Sequence, residues 1–422
     1  MKKLFVFIFV YLLSYNITFS QPAKSFSLTK PETVGMSSER LSRIDTFLND
    51  CVKKEYIHGA VAFIARKGKI VYYKSFGYDD IEKKIPLKKD QIFRIASQTK
   101  AITSIAAIML YEEGKYNLDD PVSKFIPEFK NPVILKTFNE KDSSYTTEPA
   151  KKEITIRQLF THTSGIGYAG IGTKEMNAIY AKAGVPSGVG TSSGTLSEKM
   201  KILGKLPLMH EPGEKFTYGL NTDLLGYLVE LWSGMSLDEF FRKRIFIPLG
   251  MNDTYFYLPE NKKNKLTILY EEKDGKLQKM VSNVEGDPNY PLHKGTYFSG
   301  GGGLSSSIED YAKFLQMVVN KGQYNGKRLL SRKTIELLLT NQITPEVSSR
   351  QFGLGFGLET AVNDYLSPLT IGSFSWGGMF NTQYWADPKE ELVCLIYTQI
   401  WPTTKGRISD KFKALVYQAV ID

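Results

Sequence analysis

The stretch Ser97-Gln98-Thr99-Lys100, followed by an apolar run at residues 101–110 (AITSIAAIML), decides the fold. If this run is helical, Ser97 and Lys100 lie about one turn apart on the same face. A hydroxyl held beside an amine by a buried helix is one way in which a serine becomes a nucleophile without a histidine. The similar tetrad Ser27-Leu28-Thr29-Lys30 has no apolar run behind it, so context favours Ser97 as the reactive serine.

Short motifs surround Ser97 along the chain, and their order is more specific than any one of them. They are Arg94-Ile95-Ala96, Leu118-Asp119-Asp120-Pro121-Val122, Gln158-Leu159-Phe160-Thr161-His162-Thr163-Ser164-Gly165, Pro212-Gly213-Glu214-Lys215-Phe216-Thr217-Tyr218, Asp223-Leu224-Leu225-Gly226, Pro248-Leu249-Gly250-Met251, Gly300-Gly301-Gly302-Gly303-Leu304 and Trp376-Gly377-Gly378. In this order the set resembles the serine β-lactamase and penicillin-binding protein superfamily. More narrowly, it is similar to the branch of class C β-lactamases, D-peptidases and family VIII esterases.

The apolar patterning predicts a sheet built from both ends of the chain. Residues 60–65 and 70–76 are β-rich runs joined through Lys67-Gly68, a hairpin signal. Residues 382–386 and 392–398 form a second hairpin, and residues 411–421 follow as an amphipathic helix. The middle of the chain has helical periodicity, as at residues 223–232 and 237–245.

The resemblance implies the same organisation, an α/β (α+β) fold in which an antiparallel sheet is flanked by helices. A helical subdomain and a catalytic cleft between the two complete it. We therefore expect one catalytic domain at residues 21–422. Its sheet subdomain spans about 30–96 and 291–422, and its mainly helical subdomain spans about 97–290.

The first twenty residues predict a secretory signal peptide. Lys2 and Lys3 precede an apolar core at residues 4–13, and Thr18-Phe19-Ser20 is a small-residue cleavage site. The core is too short to span a bilayer comfortably, so we expect a secreted or periplasmic protein cleaved after Ser20, without a membrane span. An uncleaved N-terminal anchor is the alternative.

Composition favours a soluble globular protein with a basic surface. Hydrophobic residues make up 42% of the 422-residue chain, which can bury a large core. Removal of Lys2 and Lys3 lowers the formal net charge from +10 to +8, and the remaining lysines are scattered, so we expect no nucleic-acid partner. Cys51 and Cys394 are able to pair in an oxidising compartment, although the apolar strand pattern around Cys394 favours an inert buried thiol. No Cys/His spacing suggests zinc, and we expect neither metal nor cofactor.

Three residues are predicted to carry the chemistry. Ser97 is the nucleophile, and Lys100 accepts its proton because burial favours the neutral form of an amine. Tyr218 is the third member, since the residues before and after it match the tyrosine motif of the resembled family. The commoner form of that motif is Tyr-Ser-Asn or Tyr-Ala-Asn, whereas here Leu220 takes the second position and Asn221 follows one residue late. We expect both to contact substrate.

Trp376-Gly377-Gly378-Met379 stands where β-lactamases and D-peptidases carry Lys-Thr-Gly or His-Thr-Gly. A tryptophan has no charge for a substrate carboxylate, and the Trp-Gly-Gly form again looks like the esterase branch. The two glycines allow a strand to approach the substrate closely. The backbone N–H groups of Ser97 and Met379 are then the predicted oxyanion hole.

Three other features invite competing interpretations. His162 suggests a Ser-His-Asp triad, but we expect its stretch to end a helix with Gly165 as the cap. The stretch 190–194 matches the G-x-S-x-G elbow around Ser192, yet no strand pattern precedes it. The run 300–303 lacks the lysine of a phosphate-binding loop, so tight chain packing is the better interpretation. Residues 139–153 and 184–195 are predicted to have no regular structure.

These features predict a secreted serine hydrolase that forms an acyl-enzyme on Ser97. Its expected substrate is a small-molecule ester or amide, with esters preferred over β-lactams. A β-lactamase or D-stereospecific peptidase is the alternative enzyme. A catalytically silent relative that binds cell-wall peptides is the alternative outside enzymes. The sequence leaves the oligomeric state and the physiological substrate open.

Overall fold

The structure, a computed structural model, describes residues 25–281 and 287–422. The predicted signal peptide at residues 1–20 lies outside this range, so its prediction stays open. Within the described ranges no helix combines the length and the apolarity needed to cross a membrane.

Strands occur along the whole described chain. They are β1 Ser27–Leu28, β2 Gly59–Arg66, β3 Lys69–Asp80, β4 Ile85–Pro86, β5 Ile92–Arg94, β6 Val133–Phe138, β7 Tyr145–Pro149, β8 Thr254–Tyr255, β9 Tyr270–Lys273, β10 Lys276–Lys279, β11 Ser305–Ser307, β12 Gln323–Tyr324, β13 Lys327–Arg328, β14 Gly357–Leu358, β15 Phe374–Gly378, β16 Thr382–Asp387 and β17 Leu392–Tyr397. The main sheet has the order β1-β3-β2-β17-β16-β15-β14, with β4 paired to β3. All its pairs are antiparallel except that of β1 with β3.

Helices flank the sheet and fill the middle of the chain. They are α1 Ser38–Lys53, α2 Thr99–Glu112, α3 Ile156–Phe160, α4 Lys174–Lys182, α5 Leu196–Leu203, α6 Asn221–Ser233, α7 Leu237–Phe241, α8 Ile247–Leu249, α9 Ile308–Val319, α10 Arg332–Leu338 and α11 Ser409–Tyr417. A π-helical turn, Arg242–Phe246, joins α7 to α8.

The two central strands of the main sheet are buried on both faces, because helices cover each side. Ala62 of β2 and Cys394 of β17 point to one side, where α1 and α11 pack. Phe63 and Leu395, the next residues along, point to the other side, where α2 and α9 pack. The period-2 alternation of a strand therefore divides one sheet between two hydrophobic cores.

A small three-stranded sheet, β5-β11-β8, places the start of α2 beside a glycine-rich segment. Ser305 of β11 pairs with Arg94 of β5, just before Ser97, and Ile95 donates its N–H to the carbonyl of Leu304 at 3.1 Å. Arg94 is buried and donates from Nη1 to the carbonyl of Thr267 at 2.8 Å. These contacts hold residues 300–304 against the first turn of α2.

Most predicted elements of the sheet are confirmed. β2 and β3 form the first predicted hairpin with Lys67 and Gly68 at positive φ, and β16, β17 and α11 occupy the predicted C-terminal positions. The prediction of no regular structure at residues 139–153 is wrong, because β7 (Tyr145–Pro149) lies in this stretch and pairs with β6. Every residue of β7 is exposed. The strand therefore lacks the alternation of apolar and polar residues from which a strand is predicted.

The two cysteines are free and buried on the same side of the main sheet. Burial raises the pKa of both the Cys51 and the Cys394 thiol. The prediction of an inert core thiol at Cys394 is therefore confirmed, and Cys51 shares that environment.

Candidate active site

Ser97 lies in a single 3-10 turn, Ala96–Gln98, that joins β5 to α2. The preceding residue Ala96 has φ +40°, a conformation that is costly for a residue with a side chain and is tolerated where the surroundings fix it. Ser97 is partly exposed, whereas its neighbours on both sides are buried. The turn thus presents one hydroxyl at the surface of a tightly packed core.

Lys100 lies in the first turn of α2 and is only 3% exposed. Its Nζ is 3.4 Å from Ser97 Oγ and donates to the carbonyl of Gly301 at 2.6 Å. The same nitrogen is 4.5 Å from the ring centroid of Tyr218 and 5.5 Å from that of Tyr168. The predicted proximity of Ser97 and Lys100 is therefore what the structure has, with two aromatic rings around the amine.

The glycine run at residues 300–303 packs tightly against α2, as the sequence suggested. Thr103 Oγ1 donates to the carbonyl of Gly300 at 2.7 Å, and Leu304 N–H donates to Thr99 Oγ1 at 3.1 Å. A Cβ on Gly301 would lie 2.6 Å from Asp223 Oδ2 and 3.5 Å from Lys100 Nζ. The residue is glycine because no larger one fits between the lysine and this carboxyl group.

Asp223 is a buried carboxyl group on the far side of Gly301 from Lys100. From the sequence it stands out only as part of a motif, with no assigned role. It is fully buried in α6 and accepts from Tyr297 Oη at 3.3 Å. Burial raises its pKa from the ordinary 3.8 to about 6, although the positive charge of Lys100 favours the ionised form. The Lys100 amine thus faces a carboxylate across the Gly301 backbone.

Tyr218 is the one predicted catalytic residue away from the start of α2, and its ring lies at the cleft surface. The ring centroid is 5.6 Å from that of Tyr168 and 5.9 Å from that of Trp376. Tyr168 is buried, and burial raises its pKa well above the usual range. The structure therefore brings Tyr218 close to Ser97 and Lys100, although it is far from them in the sequence.

His162 packs behind Tyr218 and has no hydrogen bond to Ser97 among the described contacts. The two ring centroids of His162 and Tyr218 are 4.8 Å apart, and Asn221 Nδ2 lies 3.1 Å from His162 Nδ1. Burial, together with the charges of Lys100 and Arg350, keeps the pKa of His162 well below its usual range. The histidine is thus a neutral packing neighbour of the tyrosine.

The prediction that Gly165 caps the helix before it is wrong. Helix α3 ends at Phe160, and the first left-handed residue after it is His162 itself, with φ +55°. Gly165, at φ +88°, lies beyond the cap, where a Cβ would come within 2.6 Å of the His210 carbonyl.

The predicted substrate contacts of Leu220 and Asn221 are also wrong, because both side chains are fully buried. Leu220 sits at the N-cap of α6 and its N–H donates to the carbonyl of Gly167 at 3.0 Å. Asn221 accepts from Ser164 Oγ at 2.5 Å and joins His162 in an interior polar network. The chain enters α6 right after Tyr218, which turns the next residues inward.

The Trp376-Gly377-Gly378 stretch forms the last three residues of β15, near Ser97. A Cβ on Gly378 would lie 2.3 Å from the Ile95 carbonyl, so glycine is needed where β15 approaches the segment that precedes Ser97. Trp376 and Gly377 line the cleft, and Met379 follows at its base. Met379 thereby lines the same two cavities as Ser97, and the oxyanion hole formed by the N–H groups of these two residues stays a prediction.

Two cavities meet at Ser97. The larger is an open cleft of about 570 Å³, and the smaller is a more enclosed, mainly apolar pocket of about 120 Å³. Ser97, Met379 and Ile171 line both. Tyr218 and Trp376 line the larger cleft, and Val189 and Trp401 line the smaller pocket.

The G-x-S-x-G match around Ser192 is not a nucleophile elbow. Residues 184–195 form a loop between α4 and α5, without a preceding strand. The backbone carbonyl of Ser192 accepts from Thr296 N–H at 2.9 Å. The loop contributes Val189 to the lining of the smaller pocket. No pattern in the sequence singled out this residue.

The chain is similar to known proteins over most of its length. The family model described as Beta-lactamase matches residues 44–419. The chain is 31% identical over 362 residues to Protein Rv1367c of Mycobacterium tuberculosis (82% of this chain, 86% of that protein), and 29% identical over 374 residues to Esterase EstB of Burkholderia gladioli (85% and 90%). Its fold is similar to that of EstCE1, a hydrolase with promiscuous acyltransferase activity, with TM-score 0.77 and 26% identity over 90% of this chain and 99% of that one.

Proposed function

The chain belongs to the Beta-lactamase family and is a serine hydrolase, and from this we propose that it forms an acyl-enzyme on Ser97 and cleaves carboxylic esters. The observation that carries the proposal is the position of Lys100. Its amine is 3.4 Å from Ser97 Oγ, buried, and held by the Gly301 carbonyl at 2.6 Å. A base within reach of a hydroxyl, fixed from a second side, is what nucleophilic catalysis by serine requires.

Acylation then proceeds in three proton transfers. In its neutral form, Lys100 Nζ takes the proton of Ser97 Oγ while this oxygen attacks the ester carbonyl carbon. As the tetrahedral intermediate collapses, the bond to the alcohol oxygen breaks and that oxygen receives a proton from Tyr218, which regains one from the protonated Lys100. The centroid of the Tyr218 ring lies 4.5 Å from Lys100 Nζ, and this proximity supports the proposed relay.

The backbone is arranged to stabilise the negative oxygen of the intermediate. Ser97 and Met379 border the same two cavities, which supports their N–H groups as the donors. Preorganised donors of this kind act most strongly where water is excluded. Deacylation reverses the sequence, with a water molecule in the place of the alcohol and the same base activating it.

Trp376 supports esters over β-lactams as substrates. It lines the cleft in the position where relatives that act on β-lactams carry a cation for the substrate carboxylate. A charge-assisted contact of that kind is worth roughly 1.5–3 kcal/mol, so its absence weakens β-lactam recognition by about one to two powers of ten. The esterase names of EstB and the hydrolase name of EstCE1 point the same way.

Labelling with a fluorophosphonate, followed by mapping of the modified residue, tests the nucleophile. We expect the label on Ser97, and a label on Ser192 or no label at all would refute the proposal. Steady-state kinetics test the substrate class. We expect short-chain p-nitrophenyl esters to be turned over with a higher kcat/KM than chromogenic cephalosporins, and the reverse ranking would replace the esterase proposal with a β-lactamase one.

We also propose that the protein is exported and that the mature chain begins near Gln21. The support is the charged, apolar and small-residue order of residues 2–20. N-terminal sequencing of the protein from its native host tests this. A retained Met1 on a cytoplasmic protein would contradict it.

A further inference from the structure

We propose that the natural ester carries a carboxylate on its alcohol part, and that Arg350 at the rim of the larger cleft binds this carboxylate. The inference rests on the proposed ester hydrolysis at Ser97. Beyond ester hydrolysis, it specifies which cavity binds the acyl part of the ester and which binds the alcohol part. It also specifies that the alcohol part carries a carboxylate.

The position of Tyr218 assigns the two cavities. In the proposed acylation the leaving alcohol oxygen takes its proton from Tyr218, so the alcohol must lie on the side of this residue. Tyr218 lines the larger cleft of about 570 Å³ and is not part of the lining of the smaller pocket of about 120 Å³. The alcohol therefore occupies the cleft, and the acyl chain enters the small pocket between Val189 and Trp401.

Arg350 supplies an unpaired positive charge to the larger cleft. The other charged residues of its lining, Lys413 and Asp410, are 3.9 Å apart and balance one another. Arg350 is exposed and makes no ion pair with a carboxylate in the described ranges. Its guanidinium carbon lies 5.0 Å from the ring centroid of Phe216, and this stacking orients a planar fork of donors that fits a carboxylate.

An aromatic wall separates Arg350 from the reacting centre. Trp376 packs against Phe352 with ring centroids 5.2 Å apart, and Phe352 packs against Phe216 at 5.7 Å. Arg350 lies on Phe216, at the far end of this series. The positive charge of Arg350 therefore lies at a different place in the cleft from the position of Trp376, where relatives that act on β-lactams carry their cation. It fits an alcohol with an apolar or aromatic body and a carboxylate at the distal end.

Matched acetate esters test the inference. The first series consists of 4-acetoxyphenyl-alkanoic acids with increasing chain length, and the second consists of the corresponding primary amides. For the wild type at low ionic strength we expect kcat/KM to be about tenfold higher for the acid than for the amide at the best chain length, the scale of one charge-assisted contact at an exposed site. The preference should shrink in 1 M NaCl, because exposed charges are screened there.

Three variants assign the preference to its residue. Arg350→Gln should bring kcat/KM for the acid down to that for the amide, chiefly through a higher KM for the acid. Arg350→Lys should keep part of it, because the charge remains while the planar fork is lost. Lys53→Gln removes a cation from α1 on the opposite side of the main sheet, and should keep the full preference.

The outcomes separate this inference from the function beneath it. If the wild type hydrolyses acid and amide equally well, or if the acid preference persists in Arg350→Gln, the role of Arg350 is refuted while ester hydrolysis stands. If neither series is hydrolysed, the proposed function fails, and this inference fails with it.

Discussion

The inner and outer halves of the active site are built in different ways. The inner half, made of Lys100, Gly301 and Asp223, is buried and so tightly packed that one position accepts only glycine. The outer half, made of Trp376, Phe216 and Arg350, is partly or fully exposed and lines an open cleft. Under the proposed function, this difference assigns the chemical step to the inner half and the choice of substrate to the outer half.

The strongest test of the inner half removes its nucleophile. Ser97→Ala should reduce ester hydrolysis to the background rate and abolish fluorophosphonate labelling, because one oxygen is lost and the turn around it is kept. Circular dichroism should show an unchanged fold. Ser192→Ala is the matched control in the 184–195 loop, and an equal loss of activity there would move the chemistry out of α2.

Loss of the proton relay should come next in size. Lys100→Ala and Tyr218→Phe should each lower the single-turnover acylation rate by about a hundredfold or more, the usual scale of a lost general base or acid. His162→Ala removes only a neutral neighbour of the tyrosine ring and should cost far less at this step. A folded His162→Ala protein without activity would favour a histidine-based mechanism instead.

The buried carboxyl group of the inner half should appear in the pH dependence of stability. The folded state raises the pKa of Asp223 from 3.8 to about 6, so the folded protein binds this proton more tightly than the unfolded chain does. Its contribution to the free energy of unfolding is fully present below about pH 4 and falls by about 3 kcal/mol as pH rises past 6.

Denaturant unfolding of the wild type and Asp223→Asn between pH 4 and pH 7 measures this contribution. The difference in unfolding free energy, wild type minus variant, should fall by about 3 kcal/mol across the range. Two parallel profiles would show that the pKa of Asp223 is the same in the folded and the unfolded protein.

The smallest expected effect concerns the outer half. Trp376→Lys places a cation on β15, and should raise kcat/KM for a cephalosporin by about tenfold or somewhat more. It should leave the rate of fluorophosphonate labelling at Ser97 within a few-fold of the wild type, since the inner half is untouched. Trp376→Gln separates the new charge from the loss of the ring, and an equal gain in that variant would assign the effect to cleft size.

The features that sequence reasoning found are those with a local cause. Ser97 and Lys100 are three positions apart at the start of a buried helix, so their proximity follows from helical geometry. The central strands and their hairpins follow from apolar runs interrupted by turn residues such as Lys67 and Gly68.

The features that it missed depend on tertiary context. Leu220 follows Tyr218 by two residues and was expected at the substrate, but the start of α6 turns it into the core. The closeness of Asp223 to Lys100 arises only because β5 and β11 align the glycine run with α2. Arg350 lies in a loop without periodicity, so no pattern in the sequence connects it with Phe216.

The pairing of β2 with β17 has a consequence for the order of folding. β2 belongs to the first hairpin of the main sheet, and its second partner is the last strand of the described chain. β15, which carries Trp376 and leads to Met379, joins the sheet only through β16 and β17. Pairing between such distant segments is slow, because a large loop must close before its contacts form. We therefore expect a nascent or C-terminally truncated chain that lacks residues 392–397 to contain Ser97 without the neighbouring strand β15 in place, and to be inactive.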